Sequence, residues 1–168
     1  MDWLIGRLSL DALPHEPVTM GAAIGMPLIA IGTLGVLIYF KKLGWLWRNW
    51  LTSLDAKKIG VMYIVVAIIM LVRGIGDAAM LRAQTALGGP GGHQLFGTDT
   101  FQQVFSAHGT IMIFFVAMGL MFGLINVVLP LMLGTRDVAF PWLNSVSFWL
   151  FVAGMLLNNI ALILGGFS

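Results

Sequence analysis

The chain has no cysteine, and among its 168 residues only nine are Lys or Arg, seven Asp or Glu and three His. Without cysteine there are no disulfides, thiolate metal centres or cysteine nucleophiles, although this does not fix a redox compartment. Charged residues make up 10% of the chain, against ~25% in soluble domains, which excludes a soluble globular enzyme. A net charge of +2 offers no basic patch to neutralise phosphates, so nucleic acid is excluded as a partner. A disordered chain is excluded by 59% hydrophobic residues and a mean hydropathy of +0.95. The first stretch, with Asp2, Asp11, His15 and Glu16, lacks the basic start and compact apolar core of a signal peptide. No low-complexity segment or internal repeat is present.

What is there is long apolar runs. A helix crossing a hydrocarbon core of ~30 Å needs ~20 apolar residues. Four stretches qualify, at about Val18–Phe40, Ile59–Leu81, Val104–Leu133 and Val146–Phe167. The expected fold is an all-α integral membrane bundle of four up-and-down helices, with residues 1–168 forming one membrane domain. Pro27 is expected to kink the first span, and Pro130 and Pro141 to bracket the turn between the last two. Lys41, Lys42, Arg48, Lys57 and Lys58 crowd one loop, whereas the connection after Ala83, with Gly88-Gly89-Pro90-Gly91-Gly92, has no Lys or Arg as far as Gln103. The excess of positive charge in cytoplasmic loops places the basic loop and Gly134–Leu143 inside, and the N-terminus and the Gly-rich loop outside. Trp45, Trp47 and Trp50 suit an interfacial belt. Gly21…Gly25 and Gly119…Gly123 have the spacing of close helix contacts, and the Met and Phe residues read as core filler or lipid-facing surface.

Ionisable groups inside a span face a protein interior or a cavity. Arg73 and Asp77 are four apart and share a helix face, as a structural ion pair or as a functional site. Arg82 stands near the outer rim, where it can snorkel. At 1.5 Å per residue, Arg73 lies ~21 Å from Ile59 and His108 lies ~8 Å inside Gln103, so the two share a depth on adjacent antiparallel helices. Ser106-Ala107-His108-Gly109 surrounds the imidazole with small neighbours. A neutral imidazole there is a hydrogen-bonded core residue or an axial ligand to haem iron. Asn126, Asp137 and Asn144 should gather at the inner side. They could hold a proton-conducting chain of waters, or be a solvated acid beside Arg136 with capping asparagines.

Three motifs carry a family resemblance. Ser106-Ala107-His108-Gly109-Thr110-Ile111-Met112-Ile113-Phe114-Phe115 resembles the stretch bearing the low-spin haem ligand in subunit I of haem–copper terminal oxidases. Arg73-Gly74-Ile75-Gly76-Asp77-Ala78-Ala79-Met80-Leu81-Arg82 is similar to the second-span motif of the cytochrome bo-type ubiquinol oxidases. Leu133-Gly134-Thr135-Arg136-Asp137-Val138-Ala139-Phe140-Pro141 resembles the loop that opens the family's D proton channel. The basic loop and residues 50–55 are similar too. The resemblance runs from about Leu8 to the C-terminus.

The resemblance implies that His108 is one of two axial ligands of haem b. It implies that Arg73, Asp77 and Gln103 line a quinol site, and that Asp137 is a channel entrance with Asn126 and Asn144 just inside. It further implies a bacterial inner membrane and oxidase subunits II, III and IV as partners. The family's quinol site usually has a His where this chain has Thr100, and a hydroxyl hydrogen-bonds a quinone without taking up a proton near neutral pH. His93, seven residues before Thr100, is the nearby imidazole. The family's Asp-His-Lys reads Asp55-Ala56-Lys57. The family subunit is much longer. Its second haem b ligand, high-spin haem ligand, copper-binding histidines and pump glutamate lie in later helices, so this chain is expected to be a fragment, or half of a split subunit, inactive in oxygen reduction and poorly stable alone. The competing reading is a stand-alone four-helix membrane scaffold or small transporter without cofactor. A diheme four-helix cytochrome would need further intramembrane histidines.

Overall fold

The fold is described by a computed structural model covering residues 28, 31–36, 38–88 and 95–163. A short helix α1, Leu43–Leu46, runs into a π-helical turn at Trp47–Leu51. Three long helices follow: α2 (Ala56–Leu87), α3 (Thr98–Met132) and α4 (Pro141–Ile163). Each of these three is long and apolar enough to cross a membrane, and no strand occurs among the described residues. The expected first span, Val18–Phe40, falls largely outside these residues, together with His15, Gly21, Gly25, Pro27 and His93. Its described part at 31–36 is helical.

The helices outrun the apolar runs because polar residues at their ends are helical too. Asp55, in extended geometry, starts α2 with its carboxylate accepting from Lys57 N at 2.9 Å. Gly88 closes that helix through its N–H on Gln84 O at 2.8 Å. α3 opens on the polar turn Thr98-Asp99-Thr100 rather than at Val104. Pro141 takes the first position of α4, where its missing N–H costs nothing. Pro130 stands inside α3, and its carbonyl accepts from Thr135 N at 2.9 Å as the chain turns through Gly134 at φ 65.

The buried face of α2 carries Gly60, Tyr63, Ala67, Met70, Gly74 and Asp77. Spacings alternate three and four, the repeat that keeps two nearly antiparallel helices in register along a left-handed crossing. The partner is α3. Small residues set the contact: a Cβ on Gly60 would lie 2.7 Å from the Gly123 carbonyl, and one on Gly123 2.6 Å from Ile64 Cγ1. One on Gly119 would lie 3.1 Å from Ala67 Cβ. The spacing of Gly119 and Gly123 therefore does mark a close contact, and its counterpart on α2 is Gly60. Between lipid-solvated helices such backbone approach supplies the van der Waals attraction that drives association.

α4 joins through aromatic rings. Phe148 and Phe151 each sit 5.0 Å from the Tyr63 ring, and Phe151 lies 5.5 Å from Phe115. Midway along α3, Ile111–Ala117 is π-helical. The opposite faces expose Val65, Ile69, Val72, Ile113, Leu150 and Leu157, as helices bathed in lipid do.

Overpacking a tight contact costs ~1–3 kcal/mol. Gly123→Ala should therefore lower unfolding free energy by about that amount in detergent. Gly76→Ala, where nothing lies within 4 Å of the new Cβ, should be neutral or stabilising by up to ~1 kcal/mol. Equal effects at the two positions would disprove the seam.

Candidate functional site

The α2 turn at 73–77 and the first half of α3 meet at His108. Its half-buried ring places Nδ1 3.1 Å from the Gly74 carbonyl oxygen. A carbonyl only accepts, so Nδ1 carries the hydrogen, and in the neutral ring it is Nε2 that has the lone pair. That is the arrangement of a histidine prepared to ligate a metal through Nε2. The depth match between His108 and the Arg73 turn, expected from helix rise, is what the structure has. Gly74 was not singled out by sequence, since a backbone acceptor has no signature there.

Arg73 Nη1 lies 3.4 Å from Asp77 Oδ2, with side chains 10% and 7% exposed. This is longer than the ~2.7–2.9 Å of a charge-assisted hydrogen bond. Neither atom has a hydrogen-bond partner. The pair thus holds a buried donor and a buried acceptor whose bonding capacity is unspent. Nearer the start of α3, Gln103 stands ~7.5 Å and Thr100 ~12 Å from His108 along the axis. Both are half-buried, and among the described residues neither is bonded to Arg73 or Asp77. Sequence reasoning missed Gln84. Its side chain accepts from Leu95 N at 2.7 Å and Phe96 N at 3.2 Å and donates to Phe96 O at 3.0 Å. This clamp fastens the approach to α3 onto the end of α2.

At the other end of the bundle, Asn144 donates to Asn126 Oδ1 at 2.7 Å, and Asn126 donates to Phe122 O at 2.9 Å. Ser147 donates to Asn144 O at 2.8 Å and meets the Tyr63 hydroxyl at 3.0 Å. Asn126 and Asn144 are thus brought together, within a polar ladder whose members Tyr63 and Ser147 were not foreseen. Asp137 takes its bonds elsewhere: its Oδ1 accepts from Ala56 N at 3.1 Å and Val138 N at 2.8 Å. The loop carboxylate thereby ties the α3–α4 connection to the start of α2. No group of three or more His, Cys, Asp or Glu that could hold a metal occurs among the described residues. A hollow of about 440 Å³ between α3 and α4 runs past Thr110, Phe114 and Gly154 to Asn158, whose buried Nδ2 is unpartnered.

A family model described as "Cytochrome C and Quinol oxidase polypeptide I" matches residues 58–168. Ubiquinol oxidase subunit 1 of Acetobacter aceti is 46% identical over 166 residues, 98% of this chain and 25% of that protein. Quinol oxidase subunit 1 of Bacillus subtilis is 48% identical over 151 residues, 90% of this chain and 23% of that one. Cytochrome bo(3) ubiquinol oxidase subunit 1 of Buchnera aphidicola is 45% identical over 166 residues, 98% and 25%. The chain therefore spans about a quarter of the length of these curated relatives.

Removing one member of a buried pair leaves the other charge uncompensated, at ~3–5 kcal/mol. Asp77→Leu should lower stability by about 3 kcal/mol, and adding Arg73→Met should recover most of it. A double-mutant cycle on detergent unfolding reads this, and additive losses would show that the pair is not coupled.

Proposed function

Because the chain belongs to the cytochrome c and quinol oxidase polypeptide I family, we propose that it serves as the quinol-oxidising, first electron-accepting part of a respiratory ubiquinol oxidase in a bacterial membrane. One observation carries the reading: a histidine with Nδ1 committed to a backbone carbonyl and Nε2 free stands beside a buried Arg–Asp pair with unspent hydrogen-bonding atoms. A cofactor-free scaffold or small transporter would have those atoms satisfied internally, since unpaired buried polar groups are costly.

In this reading Arg73 donates to a quinol oxygen and Asp77 accepts from its hydroxyl. Gln103 and Thr100 add hydrogen bonds from α3, and Thr100 is the site where a proton-accepting imidazole is replaced by a hydroxyl. His108 would hold haem b through Nε2. Bound there, the haem would supply one-electron acceptance. The other haem b ligand, the high-spin haem, copper and the oxygen-reducing chemistry would belong to the remaining three-quarters of the family polypeptide. With it these helices would form one arc of a larger cylinder alongside subunits II, III and IV. Asp137, with Asn126 and Asn144 beyond it, receives protons from the cytoplasmic side. The N-terminus, quinol and haem face outward, and the basic loop 41–58 lies inside. Proton pumping then moves charge across the same bundle.

In the complete oxidase, His108→Ala should abolish the low-spin haem signal in the reduced-minus-oxidised spectrum. An unchanged spectrum would refute the ligand assignment. For Asp137, Asn keeps an oxygen for Ala56 N and Val138 N but cannot release a proton. Asp137→Asn should therefore keep haem content and stability while cutting proton pumping severalfold. Full pumping stoichiometry in this variant would make Asp137 a tether only.

A further inference from the structure

Resting on the reading that His108 binds haem, we propose that Gly74 is a positioning residue for that ligand, its carbonyl fixing the imidazole's tautomer and rotation and strengthening Nε2 as a donor. The carbonyl oxygen lies 3.1 Å from Nδ1. A carbonyl oxygen has two lone pairs, so it can serve its own helix and the imidazole together. It does not titrate, so the bond holds at every working pH. An acceptor on the far nitrogen makes an imidazole more basic toward metal. That stabilises the ferric state and lowers the midpoint potential.

A side chain at this position would have to displace the end of the Met112 side chain. A Cβ there would lie 2.7 Å from Met112 Sδ and 3.6 Å from Ile111 Cγ2, and Ile111 is fully buried. α3 thus rests directly on residue 74. Two residues on, Gly76 has nothing within 4 Å, so the contact is particular to Gly74. The same turn carries Arg73 and Asp77, so the ligand hangs from the segment that would hold the quinol. No sequence motif for this exists, because the acceptor is main chain.

The test uses the complete oxidase and reads haem b content and midpoint potential by redox titration. Gly74→Ala should keep haem b but raise the potential, with the ferric-to-ferrous ratio at a fixed potential falling about fivefold, the size of one typical hydrogen bond. Met112→Ala alone should leave the potential unchanged. Gly74→Ala with Met112→Ala, which removes the colliding sulfur, should restore it. A wild-type potential in Gly74→Ala, or no restoration in the double variant, overturns the proposal. If Gly74→Ala loses haem, replacing Ile75 by its α-hydroxy acid decides instead. The resulting ester weakens the Gly74 carbonyl as an acceptor without touching a side chain, and the potential must rise. An unchanged potential overturns the proposal here as well. These outcomes leave the haem assignment intact, whereas a retained low-spin spectrum in His108→Ala sinks that assignment instead.

Discussion

The backbone-to-backbone approach of α2 and α3 is the constraint from which the other features follow. Apolar side chains gain little by leaving lipid for protein, so these helices hold together by dispersion contact, and contact distance decides its strength. Gly60 against Gly123 and Ala67 against Gly119 set that distance along the crossing. At one end the seam brings His108 to the Gly74 carbonyl. At the other it lays Asn126 over Gly60, within reach of Asn144. The proposed electron and proton sites, ~21 Å apart along α2 by helix rise, are thus positioned by one packing interface.

The two ends treat their polar groups differently. Tyr63, Ser147, Asn144 and Asn126 form a ladder in which each side chain finds a partner. A satisfied network in a low-dielectric interior rigidifies what it joins. The Arg73–Asp77 turn is bonded incompletely. Such incompleteness is destabilising unless another molecule supplies the missing partners. Rigidity at one end and unspent capacity at the other is a division suited to holding a scaffold still while exchanging a small substrate.

Much of this was legible in the residues, for identifiable reasons. The crossings were visible because apolar run length is a direct consequence of bilayer thickness, and the shared depth of Arg73 and His108 because helix rise is constant. Gly119 and Gly123 were visible as a spacing. Helix ends were not, because polar turns such as Thr98-Asp99-Thr100 continue the helix beyond the apolar run. Nor was the buried face of α2: a helix apolar on every side has no stripe, and residue size, not hydropathy, selects Gly60, Ala67 and Gly74. Gly60 among twenty-one glycines forms no pattern of its own. Asp137 admitted two readings, and its bonds to Ala56 N and Val138 N depend on a loop geometry that spacing does not encode.

The π-helical stretch in α3 bears on how the two ends are aligned. From Ala107 the buried positions recur at Ile111, Phe115, Gly119 and Gly123, every four residues. At about 100° per residue, the four steps in an ordinary α-helix would swing the face about 160° off its partner. The wider turns at Ile111–Ala117 take back most of that swing. The stretch therefore works as a vernier, clocking the imidazole and the glycine contacts independently. Losing a single residue from it would leave composition and length almost untouched, yet would turn the ring away from α2 while the glycines stayed in place.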